Sequence, residues 1–173
     1  KKIIELGVEK VSLSSAIINN PDIVNNIANV IGRQSVVCVL DYKLSGLFKT
    51  PNIFINNGRN KTKFKLLNFV EKLNEIGGVG ELVINNIDND GKLSGYDIEN
   101  LSKVIDIYDG PITILGGASG LNDIKNLISK FPVIGAAAGS IFVFKGKYRA
   151  VLINYPSPKT KLQIIHEANN TII

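Results

Sequence analysis

Apolar positions along this chain follow two alternating periods. Alternating or unbroken apolar runs fall at 8–14 (VEKVSLS), 35–41 (SVVCVLD), 82–84 (LVI), 111–117 (PITILGG) and 133–140 (VIGAAAGS). They predict strands. Helical patterns lie between them. Asn20-Pro21 opens one with Ile23, Val24, Ile27, Val30 and Ile31 on one face and Gly32 at its end. Others cover Phe64 to Ile76, ended by Gly77-Gly78, then Asp97 to about Tyr108, Leu121 to Phe131, and a last one near Lys159 to Ala168. Ile3 to Leu6 reads as a helix end closed by Gly7. Residues 42–62 are longer and more polar. FINNGRN within them carries an Asn-Gly hairpin signal.

The resulting order, βαβαβαβαβ with buried strands, suggests a parallel barrel or a doubly wound sheet. Polar residues or glycines end every strand, and the last strand is rich in small residues; both favour the barrel. A complete (βα)8 TIM barrel has about 250 residues, and this chain has 173. The expected fold is therefore the C-terminal part of a barrel, strands 4–8, with the first three βα units missing. Residues 1–173 are expected to form a single partial-barrel domain with a short C-terminal extension from about 145. The absence of methionine points the same way, to a piece of a longer protein.

Composition narrows the class. Hydrophobic content of 45% and charge of 20% are ordinary for a globular domain. No apolar run reaches the ~18 residues of a membrane span, and KKIIELG lacks the long apolar region of a signal peptide. The net charge of +5 is spread along the chain, which reads as a solvated surface rather than a nucleic-acid face. One cysteine, Cys38 in VVCVL, suits a buried thiol and a cytoplasmic location. His166, the lone histidine, is expected on the surface of the last helix, and there is no His/Cys cluster for zinc.

In parallel α/β folds ligands sit at the carboxyl ends of strands. That places Asn85, Asp88 and Asp90 where chemistry would occur. Asn86, Asp88, Asp90, Gly91 and Asp97 also fall at calcium-loop positions, but GELVIN before them is a poor helix former. Asp41 follows five apolar residues, which puts it either at a turn or at the active site; the strand-end position favours the latter, as general acid/base. Gly116-Gly117 and Gly139-Ser140 end successive strands, either to bind phosphate through backbone N–H groups or to make tight turns. Ser14-Ser15 form a second anion site or cap a turn.

These motifs together resemble the cyclase subunit (HisF-like) of imidazole glycerol phosphate synthase in histidine biosynthesis. The resemblance runs from about Lys2 to Phe144, on EKVSLSSA, QSVVCVLD, GELVINNIDNDGKLSGYD, PITILGGASG and GAAAGSIF. It implies a lyase that takes ammonia from a glutaminase partner in a heterodimer. The enzyme cleaves a bisphosphorylated ribonucleotide while closing an imidazole ring, with no cofactor or metal. It makes Asp41 one of two catalytic aspartates, the other lying on the first strand. Ser14, Ser15, Gly116, Gly117, Gly139 and Ser140 match phosphate-binding strand ends. Asn85 stands where the family has threonine, and Asp90-Gly91 match a covering loop. Lys10 and Glu81 match an ammonia gate facing the partner. The serine pair, Asn85 and Leu115 depart from the family pattern. The segment FVFKGKYRAVLINYPS resembles a divergent branch that transfers nitrogen to a sugar in surface-polysaccharide synthesis. A non-catalytic barrel fragment or binding module is the competing class.

Overall fold

The computed structural model describes residues 6–170. Five strands run parallel and adjacent in chain order: β1 (Val11–Leu13), β2 (Val36–Ser45), β5 (Glu81–Asn86), β6 (Ile112–Leu115) and β7 (Gly135–Ala136). Helices α1 (Ser15–Asn19), α2 (Ile23–Ile31), α3 (Leu66–Ile76), α4 (Ile98–Ile105) and α5 (Leu121–Lys130) connect them. Gly32 (φ +87°) and Gly77 (φ +71°) end α2 and α3 in a conformation that side chains resist.

The strand registers separate two faces. Val36, Cys38, Leu40 and Tyr42 line up with Leu82, Ile84 and Asn86 and with Ile112 and Ile114, and all are buried. Ile17, Val24, Phe69, Leu73, Leu101 and Leu127 of the helices join the same core. Each such side chain contributes about 1.5–3 kcal/mol by leaving water. The other face carries Ser12, Val39, Asp41, Glu81, Val83, Asn85, Thr113 and Leu115, most of them partly exposed. The architecture is thus an α/β fold with a parallel sheet whose apolar face is covered by helices.

Several elements differ from the sequence reading. β2 does not stop at Asp41. It continues to Ser45 and pairs antiparallel with β3 (Thr50–Ile55), which pairs with β4 (Asn60–Lys65). The predicted Asn-Gly hairpin is this unit: Asn57 (φ +58°) and Gly58 (φ +73°) form its turn. The apolar runs at 8–14 and 133–140 shorten to three and two paired residues. Alanine and glycine give β7 little to pack, and a Cβ on Gly135 would strike Thr113. The sequence pattern puts Val30 on the buried face of α2, but Val30 is 59% exposed. Six residues on from Val24, Val30 stands about 120° round the helix, off the face that Val24, Ile27, Ala28 and Ile31 turn to the core. Of the helix end read at Ile3 to Leu6, residues 3–5 lie outside the described residues, and Gly7 after it has φ +87°. The tail forms α6 (Ser140–Val143), a hairpin of β8 (Phe144–Lys145) and β9 (Ala150–Val151), and α7 (Pro158–Asn169). Among the described residues no helix is long and apolar enough to cross a membrane.

Candidate active site

The parallel pairing of β2 with β5 ends at Asp41↔Asn85 and Tyr42↔Asn86. Period-two alternation sends these neighbours to opposite faces. Asp41 and Asn85 lie on the face that the helices leave open, at the carboxyl end of the sheet. Asn85 Nδ2 donates to Asp41 Oδ1 at 2.8 Å. Asn85 is 8% exposed, and its Oδ1 is buried without a donor among the described residues.

Beside this pair, six of the sequence-predicted residues line one cleft: Asp90, Gly91, Gly116, Gly117, Gly139 and Ser140. Gly116 (φ +94°) and Gly117 (φ +110°) are required here, because a Cβ would strike the Asn86 carbonyl at one and the Gly95 carbonyl at the other. Gly95 N donates to Gly117 O at 2.8 Å, which seats the loop after β5 on this turn. Arg149 Nη1 donates to Gly91 O at 3.1 Å from the tail hairpin. With the loop seated, the cleft admits about one water molecule. That is too small for a phosphate, and Asp90 adds a carboxylate to the lining.

Ser14 and Ser15 follow β1 at the same end of the sheet, where Ser15 Oγ accepts from Asn56 N of the hairpin turn at 3.2 Å. At the opposite end, Lys10 Nζ lies 2.6 Å from Glu81 Oε2, and Thr113 Oγ1 donates to Glu81 Oε1 at 2.7 Å. These two donors hold the Glu81 carboxyl below its usual range, the Lys10 bond being the larger cause. The structure therefore separates the predicted residues into two groups at opposite ends of the strands.

Sequence reasoning missed a buried network on the helical side. Asp97 Oδ2 accepts from Tyr42 Oη at 2.8 Å, Asn100 Nδ2 at 2.8 Å and Asn86 Nδ2 at 3.3 Å. Its Oδ1 caps α4 through Asn100 N at 3.2 Å. Asp88 Oδ2 accepts from Leu44 N at 3.2 Å. The calcium-loop positions Asp88 and Asp97 are thus committed to structure, and a strand rather than a helix precedes them. Among the described residues no cluster of His, Cys, Asp or Glu is placed to hold a metal ion. Burial pushes the Cys38 thiol up to about 12, which makes it inert as a nucleophile. His166 is exposed, as read. The tail lines an open pocket of about 530 Å³ next to Ser140, with Phe142, Lys145, Arg149 and Tyr155 among its walls.

The profile of the family described as "Histidine biosynthesis protein" matches residues 1–149. A Vibrio vulnificus protein, provisionally named imidazole glycerol phosphate synthase subunit hisF3, is 47% identical over 161 residues, covering 93% of this chain and 62% of its own length. A Pseudomonas aeruginosa protein, provisionally named subunit hisF2 of the same synthase, is 39% identical over 90% of this chain and 61% of its own. The imidazole glycerol phosphate synthase subunit HisF of Natranaerobius thermophilus is 31% identical over 92% of this chain and 62% of its own. The chain spans about three fifths of the length of these curated relatives.

Proposed function

The chain belongs to the histidine biosynthesis protein family, and on that premise we propose that it supplies strands four to eight of a (βα)8-barrel cyclase subunit of imidazole glycerol phosphate synthase. Residues 1–173 are one partial domain of that barrel. The single buried thiol suits a cytoplasmic enzyme. The observation that carries this reading is the Asp41–Asn85 pair. It lies on the open face of the parallel sheet, at the strands' carboxyl ends, between two sets of anion-binding candidates. The serine pair after β1 and the glycine turn after β6 are three strand spacings apart, about 14 Å at about 4.8 Å each. That separation suits the two ends of a bisphosphorylated substrate. Gly116, Gly117, Gly139 and Ser140 offer backbone N–H groups and one hydroxyl to a phosphate once the Asp90-Gly91 loop lifts. The loop then closes over the bound group. Asp41 serves as general acid/base on the reacting nitrogen or oxygen. The second carboxylate belongs to the first barrel strand. Lys10, Glu81 and Thr113 form the entrance through which a glutaminase partner delivers ammonia.

The test is Asp41→Asn in the full-length protein. It keeps the side-chain shape but cannot accept a proton. Ammonium-dependent turnover should fall by roughly 10²–10⁴-fold with little change in stability. Near-normal turnover would remove Asp41 from the mechanism and favour a non-catalytic barrel. A second reading, nitrogen transfer to a sugar derivative in surface-polysaccharide synthesis, is favoured by the tail pocket beside Ser140. Turnover of the ribonucleotide substrate against a phosphorylated sugar separates the two.

A further inference from the structure

The Asn85 amide has one end used and one end unused. Its Nδ2 donates to Asp41 Oδ1 at 2.8 Å. An ionised carboxylate only accepts, so this bond fixes which way the amide points. Oδ1 is the amide's other end. It is buried and has no donor among the described residues. A buried acceptor without a donor carries a desolvation cost that a bound donor removes. Its wall is the Gly116 backbone: a Cβ built there would stand 3.0 Å from Oδ1. Glycine keeps that contact free of a side chain. A donor that reaches this oxygen beside the Gly116 backbone has to be small, and ammonia is about the size of water. On the same face of β5, Val83 and Glu81 lie two and four residues before Asn85, roughly 7 and 13 Å along the strand. Glu81 belongs to the polar cluster at the other end of the sheet.

We infer that Asn85 receives the nitrogen nucleophile: Oδ1 accepts an N–H of ammonia while Nδ2 holds the Asp41 carboxylate in place. The inference rests on the ammonia-using reaction proposed above. Ammonia that gives one N–H to Oδ1 keeps its lone pair for the substrate, and Asp41 stands beside it to take a proton. Asn85 is thus a positioning residue for Asp41 and the docking point of the nucleophile, rather than a phosphate ligand.

Two variants of the full-length protein separate these roles, assayed with ammonium chloride and the bisphosphorylated ribonucleotide. Asn85→Leu removes donor and acceptor with nearly the same shape. Half-saturating ammonium should rise about tenfold, the worth of one such hydrogen bond, while the KM of the phosphorylated substrate stays within about twofold. Asn85→Asp keeps an oxygen at the Oδ1 position and loses the donor to Asp41. It should lower kcat and leave half-saturating ammonium within about twofold. If Asn85→Leu does not fold, Asn85→Asp decides alone, and a tenfold rise in half-saturating ammonium there overturns the inference. Equal changes in both KM values, or none in ammonium, for Asn85→Leu also overturn it and leave the reaction intact. A wild-type protein without ammonium-dependent turnover overturns the functional reading, and the inference falls with it.

Discussion

Replacing Tyr42 by Phe tests the buried network without touching the open face of the sheet. Tyr42 is fully buried, and its hydroxyl donates to Asp97 Oδ2 at 2.8 Å. Phenylalanine fills the same space, so no cavity term enters. A hydrogen bond to a charged group contributes about 1.5–3 kcal/mol. Asp97 keeps Asn86 Nδ2, Asn100 Nδ2 and Asn100 N as donors, so its charge is not left bare. The loss should therefore lie at the low end, about 1.5–2 kcal/mol. For a protein near 250 residues that is roughly 3–8 °C in Tm. Urea and thermal unfolding of the full-length protein at pH 7 measure it. The pH dependence adds a second check. Burial first, then the Asp97 charge, pushes the Tyr42 phenol above its usual range. Its contribution is complete below the unfolded value near pH 10 and is lost as pH rises toward the folded one. Wild type should lose stability above about pH 10 more steeply than Tyr42→Phe. Tyr96 and Tyr108, both pushed up to about 12 by burial, keep part of that slope in each protein. A loss under about 0.5 kcal/mol, or identical alkaline slopes, would show that the bond contributes nothing.

Glu81, held low by Lys10 and Thr113, contributes stability above its unfolded value near pH 4.3 that disappears as pH falls through the folded value. Wild type should therefore lose slightly more stability on acidification than Glu81→Gln in urea unfolding, and parallel curves would refute the pairing. Lys10→Ala in the full-length enzyme should impair glutamine-dependent turnover more than ammonium-dependent turnover; equal losses would refute a role at the partner interface. Gly117→Val drives a Cβ against the Gly95 carbonyl at φ +110° and should raise the KM of the phosphorylated substrate about tenfold or more, so an unchanged KM would show that the turn binds no phosphate.

The strand and helix order was legible because each apolar run keeps its period between glycines, and Asn57-Gly58 announced the hairpin. The length of β2 was not legible. Tyr42, Lys43 and Ser45 interrupt the apolar run, and only pairing with β3 reveals that the strand continues. At 133–140 the error ran the other way: apolar small residues suggested a strand that has too little side chain to hold more than two pairs. Asp90, Gly91, Gly116, Gly117, Gly139 and Ser140 could be grouped because each follows a strand, and parallel strands gather their carboxyl ends. The Tyr42–Asp97 bond could not be found, since the partners stand 55 positions apart and nothing local marks either. Thr113 gave a weak signal: it alternates onto the face of Glu81, but only the β5–β6 register brings them together. The orientation of the Asn85 amide likewise depends on a neighbour from another strand.

The β2–β5 register divides the polar residues at the strand ends into two kinds. Asp41 and Asn85 pair on the open face, while Tyr42 and Asn86, one residue further, pair on the helical face. On the helical side the acceptors are in use: Asp97 takes three donors on Oδ2, and Asn86 Oδ1 takes the N–H groups of Asp88 and Asn89. That layer fastens the loop after β5 and the start of α4. On the open side one buried acceptor, Asn85 Oδ1, has no donor among the described residues. A slip of one residue in β2 against β5 would carry Tyr42 to the open face and bury Asp41 under the helices without its amide partner. The slip would also turn Val37 and Val39 into the core in place of Val36, Cys38 and Leu40, which are fully buried now. Burial of those three side chains holds the register, and the register in turn keeps a carboxylate and an amide with a spare oxygen at the open end of the sheet.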